Sequence, residues 1–319
     1  MSRKRPRILL ILILLLLILA AALLTFEYFR RSAGENREPG RVEDEVAEII
    51  RNMSLEEKIG QVIIAYFSGP DFGSAFAEEL QELPLGGVIL FSAAGNIESP
   101  AQVAGLTGQI QRAALDSGMV PLFIAVDQEG GAVARLTEGV TLFPGNMALG
   151  ATGSEELARL SAAVTARELR ILGINFNFAP VVDVNNNPDN PVIGVRSFGS
   201  NPQEVARLGR AMVVPYRHEK VIATAKHFPG HGDTDVDSHY GLPLIPHGLS
   251  RLRELELFPF QAMVDAGVPA VMLAHILVPG LTGSDELPAS LSPQAVRYLR
   301  DEMGFDGLVV SDSMSMGAI

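Results

Sequence analysis

The chain has 319 residues, 47% of them hydrophobic and 19% charged, with a net charge of −12 and no cysteine. That hydrophobic fraction excludes an intrinsically disordered chain, and the acidic balance excludes a protein that neutralises nucleic-acid phosphates. Without cysteine there are no disulfides, no thiolate metal sites and no lipid-modified cysteine, so the redox compartment stays open.

Residues 1–7 carry Arg3, Lys4, Arg5 and Arg7, and an unbroken apolar run follows from Ile8 to Leu24. At ~1.5 Å per residue this run sits at the lower limit for a bilayer-spanning helix. It is longer than a signal-peptide core of ~7–15 residues, so residues 8–26 are expected to form an uncleaved anchor, with a cleaved signal peptide as the competing reading. The basic flank places everything after Phe26 outside a cell membrane, or secreted if cleavage occurs near Ala20–Ala22. Residues 27–45, with the polar stretch Arg31–Arg41, read as a linker, and residues 46–319 as the folded region.

That region alternates. Ser54 and Glu57 form a capping box ahead of the first apolar residues. Seven apolar, strand-like runs follow at 61–67, 86–91, 121–126, 174–182, 221–225, 269–274 and 307–311. Helix-like spacing near 3.6 falls at 101–115, 154–172, 202–219 and 250–267, the last interrupted by Pro259. Alternating strands and helices predict a parallel sheet. Titratable residues end five of the strands: Asp127, Asp183, Lys226 with His227, His275 and Asp312. A barrel gathers all strand ends on one face, whereas an open doubly wound sheet gathers only neighbours of its switch point. The expected fold class is therefore α/β, a TIM-type (β/α)8 barrel. With seven strands countable before Ile319, it is read as truncated before the eighth.

The segment KHFPGHGDTDVDSH, Lys226–His239, is too polar for a core, and its proline and glycines forbid regular structure. Asp237 and His239 lie two apart, so in an extended segment both point the same way, and the carboxylate can fix the imidazole's tautomer. Such a histidine can donate a proton and later take one back. A metal site drawn from His227, His231, Asp233, Asp237 and His239 is the second reading, without a metalloprotease spacing to support it. Asp312 fits a nucleophile, a base or a helix N-cap. Asp127, in DQEGG, binds ligand hydroxyls or caps a turn, and Arg135 lies eight residues on.

Together KHFPGHGDTDVDSH, AVDQEGGAVARL, GINFNFAPVVDV, GVRSFG and GFDGLVVSDSMSM resemble family 3 glycoside hydrolases, and within them the bacterial β-N-acetylhexosaminidase branch, from about Ser54 to the end. The resemblance implies an exo-acting, retaining β-N-acetylglucosaminidase that needs no cofactor or metal. Its substrates would be N-acetylglucosamine-terminated glycans from peptidoglycan or chitin. Asp312 matches the nucleophile, His239 the general acid/base and Asp237 its partner; Asp127, Arg135, Arg196, Lys226 and His227 match sugar-binding positions. A histidine in place of the usual carboxylic acid leaves phosphorolysis as an alternative to hydrolysis. Two other classes stand beside it: a metal-dependent barrel hydrolase using His227, His231 and His239, and a non-catalytic wall-sugar binder. Ala132 stands where relatives commonly carry arginine, and SDSMSM where SDDLSM is frequent.

Overall fold

A computed structural model describes residues 39–319 of the chain. The apolar run read as an anchor lies outside them; among the described residues no helix is long and apolar enough to cross a membrane. The chain divides into two compact units, Met1–Lys58 and Ile59–Ile319. In the first, the helix Pro39–Asn52 begins inside the stretch read as a tether and exposes Val46, Ile49 and Ile50. The capping box forms as expected: Ser54 N–H donates to Glu57 Oε2 at 2.6 Å and Glu57 N–H to Ser54 Oγ at 3.1 Å.

The second unit is built on seven parallel strands paired strictly in chain order: β1 (Ile64–Ala65), β2 (Gly87–Ile89), β3 (Phe123–Val126), β6 (Phe176–Asn177), β7 (Ile222–Phe228), β8 (Ala270–Leu273) and β9 (Leu308–Ser311). Six of them fall within one of the apolar runs, and β7 starts in the run at 221–225 and extends three residues past it. A doubly wound sheet would reverse its order at a switch point, and this one does not. Alternate residues separate two layers. Phe123, Ala125, Phe176, Phe178, Ala270 and Met272 cluster with Ile64, Ile89, Ile222 and Val310, so all seven strands contribute to one interior. That requires a sheet curled round its own concave face, as in a barrel. The intervening residues, among them Ile124, Val126, Ala225, Val271 and Leu273, join the larger core under the helices.

The helices earn their places by periodicity and caps. In Pro100–Asp116 the residues Val103, Leu106, Ile110 and Ala114 are buried, and in Glu155–Ile171 Ala158, Ala162, Ala166 and Leu169 are. Ser99, Ser154 and Asn201 each accept a first-turn N–H, and prolines follow Ser99 and Asn201 at the first helical position, where a missing N–H is harmless. The region 250–267 is broken, but not where its proline suggested. Two helices, Leu249–Glu254 and Leu257–Asp265, part at Leu255, and Pro259 sits in the first turn of the second, where it removes no helical hydrogen bond.

Candidate active site

The site grows from the ends of β3, β6, β7 and β9. Directly after β3, Asp127 leads into a hairpin of β4 (Gln128–Gly130) and β5 (Val133–Ala134), which the sequence reading took as a glycine turn. Asn177, at the end of β6, pins the hairpin's root. Its Oδ1 accepts the Gln128 N–H at 2.9 Å and its Nδ2 donates to the Gln128 carbonyl at 3.0 Å. The Gln128 side chain in turn accepts the N–H groups of Arg135 and Leu136, fixing where Arg135 leaves β5.

This folding turns Glu129 inward, and Glu129 is the residue that sequence reasoning missed. Lys226, inside β7, lies with Nζ 2.8 Å from Asp127 Oδ1 and 2.7 Å from Glu129 Oε1. Arg196, on the single turn Gly194–Arg196, grips Glu129 with two parallel bonds of 2.9 and 2.8 Å. Burial pushes the Glu129 carboxyl up, yet the adjacent Lys226 and Arg196 charges outweigh it and hold it down at about 2. Its charge keeps Lys226 ionised despite burial, together with that of Asp127. Arg135 approaches Asp127 Oδ2 at 3.7 Å and lies over the Phe91 ring at 4.5 Å, with its Nε buried and unpaired. All five predicted sugar-binding positions thus share one network, because His227 Nε2 lies 3.2 Å from Arg196 Nη2.

The second layer is set by Asp183, fully buried after β6. It accepts the His227 N–H at 3.1 Å and the His231 N–H at 2.7 Å, and its Oδ2 lies 2.7 Å from His227 Nδ1. Lys226 and His227 therefore do not follow the strand as sequence suggested; β7 continues through both. Nor is the first half of the loop after it a polar surface. Gly230, His231, Gly232 and Thr234 are buried, and the His231 and Thr234 side chains and the carbonyls of His231, Gly232 and Thr234 all find partners. Gly232 is present for close approach rather than flexibility: a Cβ there would lie 1.8 Å from the Val184 carbonyl oxygen. Gly232→Ala is expected to lower stability by about 3 kcal/mol, because backbone must shift to admit the methyl. Chemical denaturation checks this, and an unchanged midpoint would refute it.

Asp237 and His239 meet as expected, Nδ1 to Oδ1 at 2.7 Å, but through a turn rather than an extended segment. The His239 N–H also donates to Asp237 Oδ1 at 2.9 Å, and Tyr240 N–H returns to the Asp237 carbonyl. Slight burial raises the Asp237 carboxyl, and these contacts with His239 bring it below its usual range. The His239 ring is exposed. Its carbonyl accepts the Gly317 N–H at 3.1 Å, tying this loop to the turn beyond β9. Asp312 ends β9, with its N–H on the Leu273 carbonyl. Turns follow it directly, and its Oδ1 accepts the Ser313 N–H at 2.7 Å. Burial raises the Asp312 carboxyl, but the neighbouring His227, the Ser313 N–H and the Lys226 ammonium together leave it below the ordinary range. His275, at the end of β8, donates Nε2–H to the Ser313 carbonyl at 2.9 Å and so steadies the nucleophile-candidate's neighbour.

The histidines do not gather as metal ligands. Both ring nitrogens of His227 and of His231 face protein partners. Among the described residues, the one group with ligand atoms close enough is Asp233, His247 and Glu256. There His247 Nε2 lies 2.5 Å from Asp233 Oδ2, and Arg251 occupies both oxygens of Glu256, so these ligand atoms already have protein partners.

Comparison with known proteins agrees with this frame. Residues 54–319 match the family described as the glycosyl hydrolase family 3 N terminal domain. The protein named beta-hexosaminidase A of Pseudoalteromonas piscicida is 44% identical over 259 residues, 76% of this chain and 43% of that protein. A solved glycoside hydrolase family 3 beta-N-acetylglucosaminidase from Paenibacillus sp. str. FPU-7 superposes with a TM-score of 0.81 at 50% identity, over 84% of this chain and 50% of that one. The structure of NagZ from Neisseria gonorrhoeae in complex with N-trifluoroacetyl-D-glucosamine gives 0.73 at 34% identity, over 80% of this chain and 75% of that one. The chain spans about half the length of the first two relatives. With the family match running over residues 54–319 and a curled parallel sheet beneath it, the chain belongs to glycoside hydrolase family 3.

Proposed function

We propose that the chain is the catalytic part of an exo-acting, retaining β-N-acetylglucosaminidase, acting on N-acetylglucosamine-terminated glycans of peptidoglycan or chitin. The observation that carries this reading is the Asp237–His239 pair at 2.7 Å, on a loop tied by Gly317 to the turn that begins with Asp312. His239 turns Nδ1 to Asp237, which leaves Nε2 for chemistry. In the first step Asp312 attacks the anomeric carbon while Nε2–H protonates the departing glycosidic oxygen, giving a covalent glycosyl-enzyme. In the second, the now neutral Nε2 takes a proton from water, whose oxygen displaces Asp312 at the same carbon. Asp127, Arg135, Arg196, Lys226 and His227 hold the sugar. Asp127 accepts from hydroxyls, Lys226 donates, and the unpaired Arg135 Nε is a donor left for a ligand oxygen. The gonococcal relative's N-acylated glucosamine ligand supports the sugar class. The N-terminal apolar run would hold this part at the outer face of a membrane.

The test is release of nitrophenol from 4-nitrophenyl N-acetyl-β-D-glucosaminide by the full chain. Release undiminished by EDTA, and far slower from the β-glucoside lacking the acetamide, is the expected result. Loss of activity with EDTA would favour metal-dependent hydrolysis; binding of the sugar without release would favour a wall-sugar binder.

A further inference from the structure

One buried imidazole in the loop after β7 has no part in the chemistry above. His231 is 1% exposed, with Nδ1 2.7 Å from Thr234 Oγ1 and Nε2 3.0 Å from Ser238 Oγ. The Thr234 hydroxyl donates its proton to the His231 carbonyl at 3.0 Å, so it can only accept from the ring. Nδ1 therefore carries the hydrogen, and Nε2 accepts the hydroxyl proton of Ser238. Burial, with the neighbouring His227, holds the ring down at about 4, so it stays neutral at neutral pH.

One side of this imidazole is fixed. Its backbone N–H sits on Asp183, and Thr234 is held by Asn190 and Asn187 through its carbonyl at 3.0 and 3.1 Å. The other side reaches Ser238, which is 2% exposed although Asp235, Val236, His239 and Tyr240 around it are exposed. Ser238 stands between Asp237 and His239. The segment is thus anchored inward by one side chain, and at its far side by the Gly317 N–H on the His239 carbonyl.

We propose that His231 is a positioning residue for proton transfer: by holding the Ser238 hydroxyl, it sets where Asp237 and His239 stand relative to the departing oxygen. This rests on the reading of His239 as the acid/base. General acid–base catalysis is worth ~10²–10⁴-fold, and a displacement of ~1 Å can lose ~10²-fold. The loss must depend on the leaving group, because a good one departs without a proton.

The experiment compares the full chain with Ser238→Ala and His231→Phe on N,N′-diacetylchitobiose and on the 2,4-dinitrophenyl glycoside of N-acetylglucosamine. We expect kcat/KM to fall ~10- to 100-fold on the disaccharide and by no more than about threefold on the activated aryl glycoside. Equal losses on both would overturn the positioning role, since a merely damaged fold does not distinguish leaving groups. Hydrogen–deuterium exchange supplies a readout independent of turnover. Amides of Asp235–Tyr240 should exchange at least ~10-fold faster in Ser238→Ala, with β7 and β8 unchanged. Unchanged exchange there would overturn the tether itself. A wild-type chain inactive on both glycosides, with exchange rising as expected, would overturn the glycosidase reading and the proton-transfer role while sustaining the tether.

Discussion

Asp312→Asn is expected to lower kcat on N-acetyl-β-glucosaminides by at least ~10³-fold, because asparagine keeps the shape but cannot form the glycosyl ester. The carboxyl lies below the ordinary range, so it is ionised at pH values above the usual carboxylate value. The acid limb of kcat/KM should therefore not be set by Asp312 at any pH above the usual carboxylate value. The fold should tolerate the change, since an amide oxygen can still accept the Ser313 N–H. A variant retaining a tenth of wild-type turnover would remove Asp312 from the nucleophile role.

Glu129→Gln is expected to have the largest effect on stability. It leaves Lys226 and Arg196 buried beside a neutral amide, and removing one partner of a buried pair costs about 3–5 kcal/mol. The same carboxyl predicts a pH dependence. Its folded value of about 2 lies below the ordinary 4.5, so its stabilisation is present in full above about 4.5 and is lost as pH falls towards about 2. The shift corresponds to about 3 kcal/mol as an upper bound for this one group. Denaturant midpoints between pH 7 and 3 check both parts: the wild type should lose stability in that acid window more steeply than Glu129→Gln does. Parallel curves would mean that Glu129 does not bear this charge network.

The seven strands were legible because each is a short apolar run ending in a charged or polar residue, which is what a parallel strand under helices must look like when its end faces a site. The order of those polar ends also gave the barrel over the open sheet. Three things were not legible, each for a local reason. The hairpin after β3 has strands of three and two residues, too short for any period, so Glu129 lay hidden in an apparent glycine turn. The loop after β7 is polar yet half buried, and Asp183, Asn187 and Asn190, whose side chains bond to it, come from 41 to 48 residues away in sequence. The Asp237–His239 contact was foreseen on extended geometry and is made by a turn instead. A spacing of two permits both.

The most direct measurement is mass spectrometry of the full chain quenched during reaction with a 5-fluoro-N-acetylglucosaminyl fluoride, which slows release of the covalent intermediate more than its formation. The proposed mechanism predicts one added 5-fluoro-N-acetylglucosaminyl unit, on the peptide that contains Asp312. Turnover of N-acetylglucosaminides with no adduct, or with the adduct on another residue, would contradict it.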